Sequence, residues 1–146
     1  FKTMTKTANW LTLGVLAMLA LTIVACGAGT AASEPIANNA DGYADINVKQ
    51  LAGMLEDKDL TLINVHVPYE GEIPQTDLFI AYDEITAHVD QLPDKNAAIV
   101  LYCRSGGMST SAAKELAELG YSNVMEVDGG FNAWKAAGYE LLHQNQ

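Results

Sequence analysis

Apolar and polar positions along the chain switch between two periods, and each switch marks an element. Ile46 to Glu56 places Val48, Leu51, Met54 and Leu55 on one helical face, with Asn47 as its cap. Thr61 to Val67 is a short β-branched run and reads as a buried strand. Pro68 to Asp77 is a loop rich in acids, Pro and Gly, and Leu78 to Ala81 is a second short strand. Glu84 to Leu92 carries Ile85, Val89 and Leu92 at helix spacing, and Pro93 to Asn96 is a turn. Ala97 to Tyr102, apolar nearly throughout, is the strongest strand. Ser109 to Leu119 is a helix stopped by Gly120, Val124 to Val127 is a strand, and Gly130 to Ala137 is a short helix ended by Gly138. Strand and helix alternating over short loops predict an α/β fold, a central and mainly parallel sheet with helices on both faces. Reactive groups in such sheets collect beyond the carboxyl ends of the strands, here just after Tyr102, Val67 and Val127.

The first residues follow another pattern. Residues 1 to 9 are polar and carry Lys2 and Lys6, and Trp10 to Ala25 is an uncharged run of 16 residues. A positive flank before a short apolar run has the shape of a signal peptide, and the run is short for a spanning helix. It ends Ile23-Val24-Ala25-Cys26-Gly27, which resembles the lipobox of bacterial lipoproteins. That resemblance implies cleavage before Cys26 and acyl chains on its sulfur, each buried methylene contributing about 0.8 kcal/mol of anchoring. Gly27 to Gly42 is small, polar and turn-forming, a flexible linker that would span on the order of 20 Å. The expected organisation is a signal peptide over 1–25, a lipidated Cys26 and linker over 26–42, and one folded domain over 43–146. Such a chain is exported and lipid-anchored, in the periplasm or on the outer face of the cell membrane.

The net charge is -10, and with Lys2 and Lys6 set aside six cations face 18 acids. This balance disfavours a nucleic-acid partner and offers no basic patch for anionic lipid. Arg104 is the one arginine in the chain, and it directly follows Cys103. With Cys26 consumed by lipidation, Cys103 is a lone thiol outside the reducing cytosol, which marks it as reactive. His66, His88 and His143 form no pair with metal-ligand spacing, so neither a metal nor another cofactor is implied.

The chemistry lies in Cys103-Arg104-Ser105-Gly106-Gly107-Met108-Ser109, between the strongest strand and a helix. Two glycines permit positive φ, successive N–H groups can converge on an anion, and the helix start adds partial positive charge. This setting lowers a thiol pKa and suits the terminal sulfur of a persulfide. Here the sequence resembles the rhodanese family. The match is C-x-x-G-x-x-S at Cys103, Gly106 and Ser109. It continues in Val127-Asp128-Gly129-Gly130-Phe131-Asn132-Ala133-Trp134 and, more weakly, in Leu62-Ile63-Asn64-Val65 leading to Gly71-Glu72-Ile73-Pro74. It implies a rhodanese-like three-layer fold over residues 43–142. It also implies a sulfurtransferase that moves sulfane sulfur from thiosulfate, a polysulfide or a persulfide to a thiophilic acceptor through a Cys103 persulfide. The partners implied are a small sulfur-containing anion or a protein persulfide.

The sequence departs from the family pattern at two places. Asn64-Val65-His66 stands where the family usually has Asp-Val-Arg, so the usual acid–arginine pairing is missing, and neutral Met108 stands where many members carry Arg. The pocket is expected to be less cationic, with Arg104 its obvious fixed charge. Ser105 and Ser109 are placed to donate to bound sulfur, although helix capping is the more common role for Ser109. His66 lies at a strand end on the active edge, where a structural role outweighs contact with substrate. Glu70, Glu72 and Asp77 read as solvated loop acids, and Phe131 and Trp134 as core. A phosphatase needs C-x5-R, and the sixth residue after Cys103 is Ser109. The alternative to an enzyme is a membrane-tethered binding or sulfur-sensing module.

Overall fold

A computed structural model describes residues 35–144, so the apolar run, Cys26 and the first half of the linker lie outside the described residues. Strands β1 (Ala44–Ile46), β2 (Thr61–Asn64), β3 (Leu78–Phe79), β4 (Ile99–Tyr102) and β5 (Val124–Val127) form one sheet in the order β1-β5-β4-β2-β3. Every strand pairing is parallel. Helices α1 (Val48–Glu56) and α3 (Gly130–Ala136) cover one face of the sheet. Helix α2 (Gly107–Glu118) and a 3-10 helix (Tyr82–Gln91) cover the other. This is the expected α/β architecture. Among the described residues no helix is long and apolar enough to cross a membrane.

Several elements differ in detail, among them β3, which ends at Phe79 rather than Ala81, and β4, which begins at Ile99 rather than Ala97. Strand β1 is a three-residue edge strand that periodicity does not resolve, and its last residue, Ile46, belongs to the sheet rather than to the first helix. Asn47 caps α1 as expected, in a reciprocal capping box with Gln50. The strand expected to reach Val67 ends at Asn64, where the side chain bridges the turn. Asn64 Nδ2 donates to Gly71 O at 3.0 Å and its Oδ1 accepts from His66 N at 3.0 Å. The segment from Tyr82 winds as 3-10 helix, broken at His88, where φ is -117°. Helix α2 starts two residues early, at Gly107, behind Gly106 at φ +113°.

Side-chain alternation then fixes where the chemistry falls. Along β4, Val100 and Tyr102 pack towards α1 and α3, whereas Ile99, Leu101 and the following Cys103 pack towards α2. Along β5, Met125 and Val127 take the α1–α3 side, and Val124 and Glu126 the α2 side. Helix α2 meets this face with Ser109, Ala112, Ala113 and Leu116, its buried stripe. Tyr102 reaches out of the strand on the other side. Its hydroxyl accepts from Ile73 N at 2.9 Å and pairs with Thr76 Oγ1 at 2.8 Å, pinning the loop before β3.

The start of α3 is pressed against the loop after β4. Phe131 N donates to Cys103 O at 2.9 Å and Asn132 N donates to Arg104 O at 3.0 Å. A Cβ on Gly130, whose φ is +53°, would stand 2.1 Å from Cys103 O. Only glycine admits this approach, which accounts for the second glycine of the Gly129-Gly130 pair. Gly130→Ala should therefore destabilise the fold by more than about 3 kcal/mol in denaturant titration. The control is Gly53→Ala in α1, where an added Cβ meets nothing within 4 Å. That change should be neutral or stabilise by up to about 1 kcal/mol.

Candidate active site

A cavity of about 380 Å³ opens at the carboxyl end of β4 and is lined by His66, Tyr82, Cys103, Arg104, Ser105, Gly107 and Met108. Cys103 forms its floor and is only 2% exposed. The loop curls over the sulfur, and Gly106 N donates to Cys103 Sγ at 3.0 Å. Ser109 Oγ lies 3.4 Å from the same sulfur. Burial pushes the Cys103 thiol up. Hydrogen bonds from the Ser109 hydroxyl and from the backbone N–H groups of Ser109, Gly106 and Ser105 outweigh it and leave the thiol below its ordinary value. The anion is thus stabilised by neutral dipoles rather than by a cation.

Ser109 is not the helix cap, because Gly106 holds that position. It is the third residue of α2, fully buried, and heads the stripe that packs on the sheet. Its hydroxyl also lies 3.1 Å from Gly106 O and 2.5 Å from Glu126 Oε1. Glu126 was not among the residues the sequence singled out. It is 2% exposed. Burial pushes its carboxyl up to about 7, with Asp128 and Asp45 adding to the rise and the Ser109 hydrogen bond opposing it. The available signal was an acid inside an otherwise apolar four-residue strand, all of whose side chains are buried.

At the mouth of the cavity, Glu70 is no free loop acid. It pairs with His66 Nε2, and Arg104 Nη1 donates to the same carboxylate oxygen at 3.3 Å. The His66 hydrogen bond pulls the Glu70 carboxyl below its usual range, and the Arg104 charge assists. An acid–arginine pairing, expected to be missing, is thus present between Glu70 and Arg104, with His66 on the same carboxylate. His66 is buried, lines the cavity and packs edge-on to Phe131 with ring centroids 5.4 Å apart. Arg104 points outward, and Glu70 occupies its charge. Asp77 is also engaged, accepting from Lys58 Nζ at 2.6 Å and from Leu62 N at 2.8 Å. Phe131 and Trp134 are core, as expected. Cys26, the expected lipidation site, lies outside the described residues.

Comparisons with known proteins agree with this geometry. The rhodanese-like domain family matches residues 47–137. The chain is 31% identical over 102 residues to a sulfurtransferase of Allochromatium vinosum, covering 67% of this chain and 94% of that protein. It is 30% identical over 105 residues to the thiosulfate sulfurtransferase GlpE of Pseudoalteromonas translucida, covering 70% and 98% respectively. The solved rhodanese-like domain protein of Staphylococcus aureus superposes with a TM-score of 0.58 at 27% identity, covering 70% of this chain and 98% of that one. With its parallel sheet, its cysteine-led loop and its Gly-Gly approach, the chain belongs to the rhodanese-like domain family.

Proposed function

We propose that this protein is a sulfurtransferase that carries sulfane sulfur on Cys103. The observation that carries the reading is the Gly106 N–H aimed at a buried sulfur, supported by the further N–H groups of Ser105 and Ser109. The relatives named as sulfurtransferases span nearly their whole length in this match. In the first half-reaction the Cys103 thiolate attacks the outer sulfur of the donor. A new S–S bond forms, the donor S–S bond breaks, and the donor leaves with the electron pair. In the second, a thiophilic acceptor attacks the terminal sulfur of the Cys103 persulfide and the Cys103 thiolate leaves. Between the two steps the loop dipoles hold the anionic terminal sulfur.

The donor this pocket suits is a persulfide, on a small thiol or on a protein, rather than thiosulfate. Thiosulfate is a dianion, and Arg104, which lines the pocket, is already paired with Glu70. Met108 adds apolar wall instead of charge. A singly charged or neutral persulfide loses less solvation in such a site. Incubation with a small-molecule persulfide should add one sulfur to the intact mass, located on Cys103, and cyanide should remove it. Cys103→Ser should show no such gain. Thiosulfate should load more slowly, by roughly tenfold or more, which corresponds to about 1.4 kcal/mol in the barrier. A protein that gains sulfur from no donor would be a binding module instead.

The place of action in this reading is the outer side of a membrane. Lys2, Lys6, the apolar run to Ala25 and Cys26 support export and lipidation. The acidic domain would then sit off the bilayer on the linker from Gly27 to Gly42. Expressed in full in a bacterium, the chain should fractionate with membranes and incorporate labelled fatty acid. Cys26→Ala should abolish the label and release the protein from the membrane fraction.

A further inference from the structure

Beneath the cysteine loop Cys103 and Ser109 continue into a third side chain, Glu126, that the sulfur chemistry above does not use. Glu126 rises from β5 on the α2 side of the sheet, with Leu101 of β4 and Asp45 of β1 as its register neighbours. Its Oε1 is 2.5 Å from Ser109 Oγ, and Ser109 Oγ is 3.4 Å from Cys103 Sγ. The charges acting on Glu126 from the surrounding elements are Asp45 and Asp128, both acidic, while Cys103 faces it across Ser109. A serine hydroxyl has one proton and two lone pairs. It cannot donate to a carboxylate and to a thiolate at once.

We infer that Glu126 is a positioning residue that shares one proton with Cys103 through the Ser109 hydroxyl. When Glu126 is ionised, it accepts a hydrogen bond from the Ser109 hydroxyl, and the serine oxygen turns a lone pair to the sulfur, which keeps its own proton as a thiol. When the thiol gives up that proton, Ser109 passes its own to Glu126 and accepts the one from sulfur. The result is a neutral carboxylic acid, a serine whose O–H points at sulfur, and a thiolate. One S–H bond is broken and one carboxyl O–H bond is formed, with no net change in charge. Gly106 O competes for the Ser109 proton at 3.1 Å, but an anionic sulfur is the stronger acceptor. Burial raises the carboxyl to about 7 while the loop hydrogen bonds lower the thiol, so the two shifts bring the groups towards each other. With both groups ionised the one Ser109 proton can serve only one of them, so the second proton leaves at a higher pH than either group alone would require.

This inference rests on Cys103 being the reacting sulfur, but its readout needs no sulfur donor. Alkylation of Cys103 by iodoacetamide reports the thiolate directly, in the full chain carrying Cys26→Ala so that one thiol remains. The rate should rise with pH in two steps, with a shoulder near pH 7. Glu126→Gln should keep the buried shape and the contact with Ser109, and should collapse the profile to a single step. Above the shoulder this variant should react about threefold or more faster than its parent, half a pKa unit on the tenfold-per-unit scale, and well below it at the same rate. Ser109→Ala, which keeps the carboxyl and breaks the link, should also give one step. A single-step profile in the parent overturns the inference even if a variant fails to fold. So does a two-step profile that survives Glu126→Gln. Two steps surviving in Ser109→Ala would show charge acting through space and would overturn the shared proton. Absence of sulfur loading with these profiles intact would overturn the transferase reading alone.

Discussion

The sulfur of a cysteine only 2% exposed cannot carry a negative charge unless something replaces the water it has lost, and the hydrogen bond from Gly106 N to Cys103 Sγ is the centre of that replacement. Much of the fold serves this one contact. Strand β4 delivers Cys103 on the α2 side of the sheet. Gly106, at φ +113°, turns the chain back over the sulfur. Helix α2 begins at once, so its first N–H groups point into the same space. Helix α3 then clamps the outer side of the loop through the carbonyls of Cys103 and Arg104. With both carbonyls held from outside, the loop N–H groups are left directed inwards.

The second constraint is charge. Among the residues lining the cavity no arginine or lysine is free, because Arg104 is shared with Glu70 and Glu70 with His66. On the proposed reading, such a pocket disfavours a dianion and favours a persulfide donor. The acidic balance of the chain, six cations against 18 acids beyond the N-terminal lysines, works in the same direction by repelling dianions at long range. What the pocket lacks in charge it supplies as oriented dipoles, which need no reorganisation when a thiolate becomes a persulfide.

The architecture was legible because it rests on long signals. The run from Ala97 to Tyr102, the stripe from Ser109 to Leu116 and the three rhodanese motifs each constrain many residues at once. The cysteine loop was legible for the same reason. Strand β1 was not, since three residues at a sheet edge carry no readable period. The 3-10 winding after Ala81 was not, because its apolar spacing also fits an α-helix. Glu70 and Glu126 were missed for different physical reasons. The partners of Glu70 lie four residues away and 34 residues away, and only the folded turn at Asn64 joins them. Glu126 was visible as an acid in an apolar strand, but its meaning depends on strand register and on the buried hydroxyl across from it.

The account stands or falls on whether neutral donors hold Cys103 as a thiolate. The most direct measurement follows its S–H stretch by Raman spectroscopy against pH, in protein carrying Cys26→Ala. The account predicts that this band is lost at clearly lower pH than in a free cysteine thiol, and that Cys103→Ser removes it altogether. A Cys103 band that persists to the pH of an ordinary thiol or beyond would mean that burial wins over the loop donors, and would contradict it.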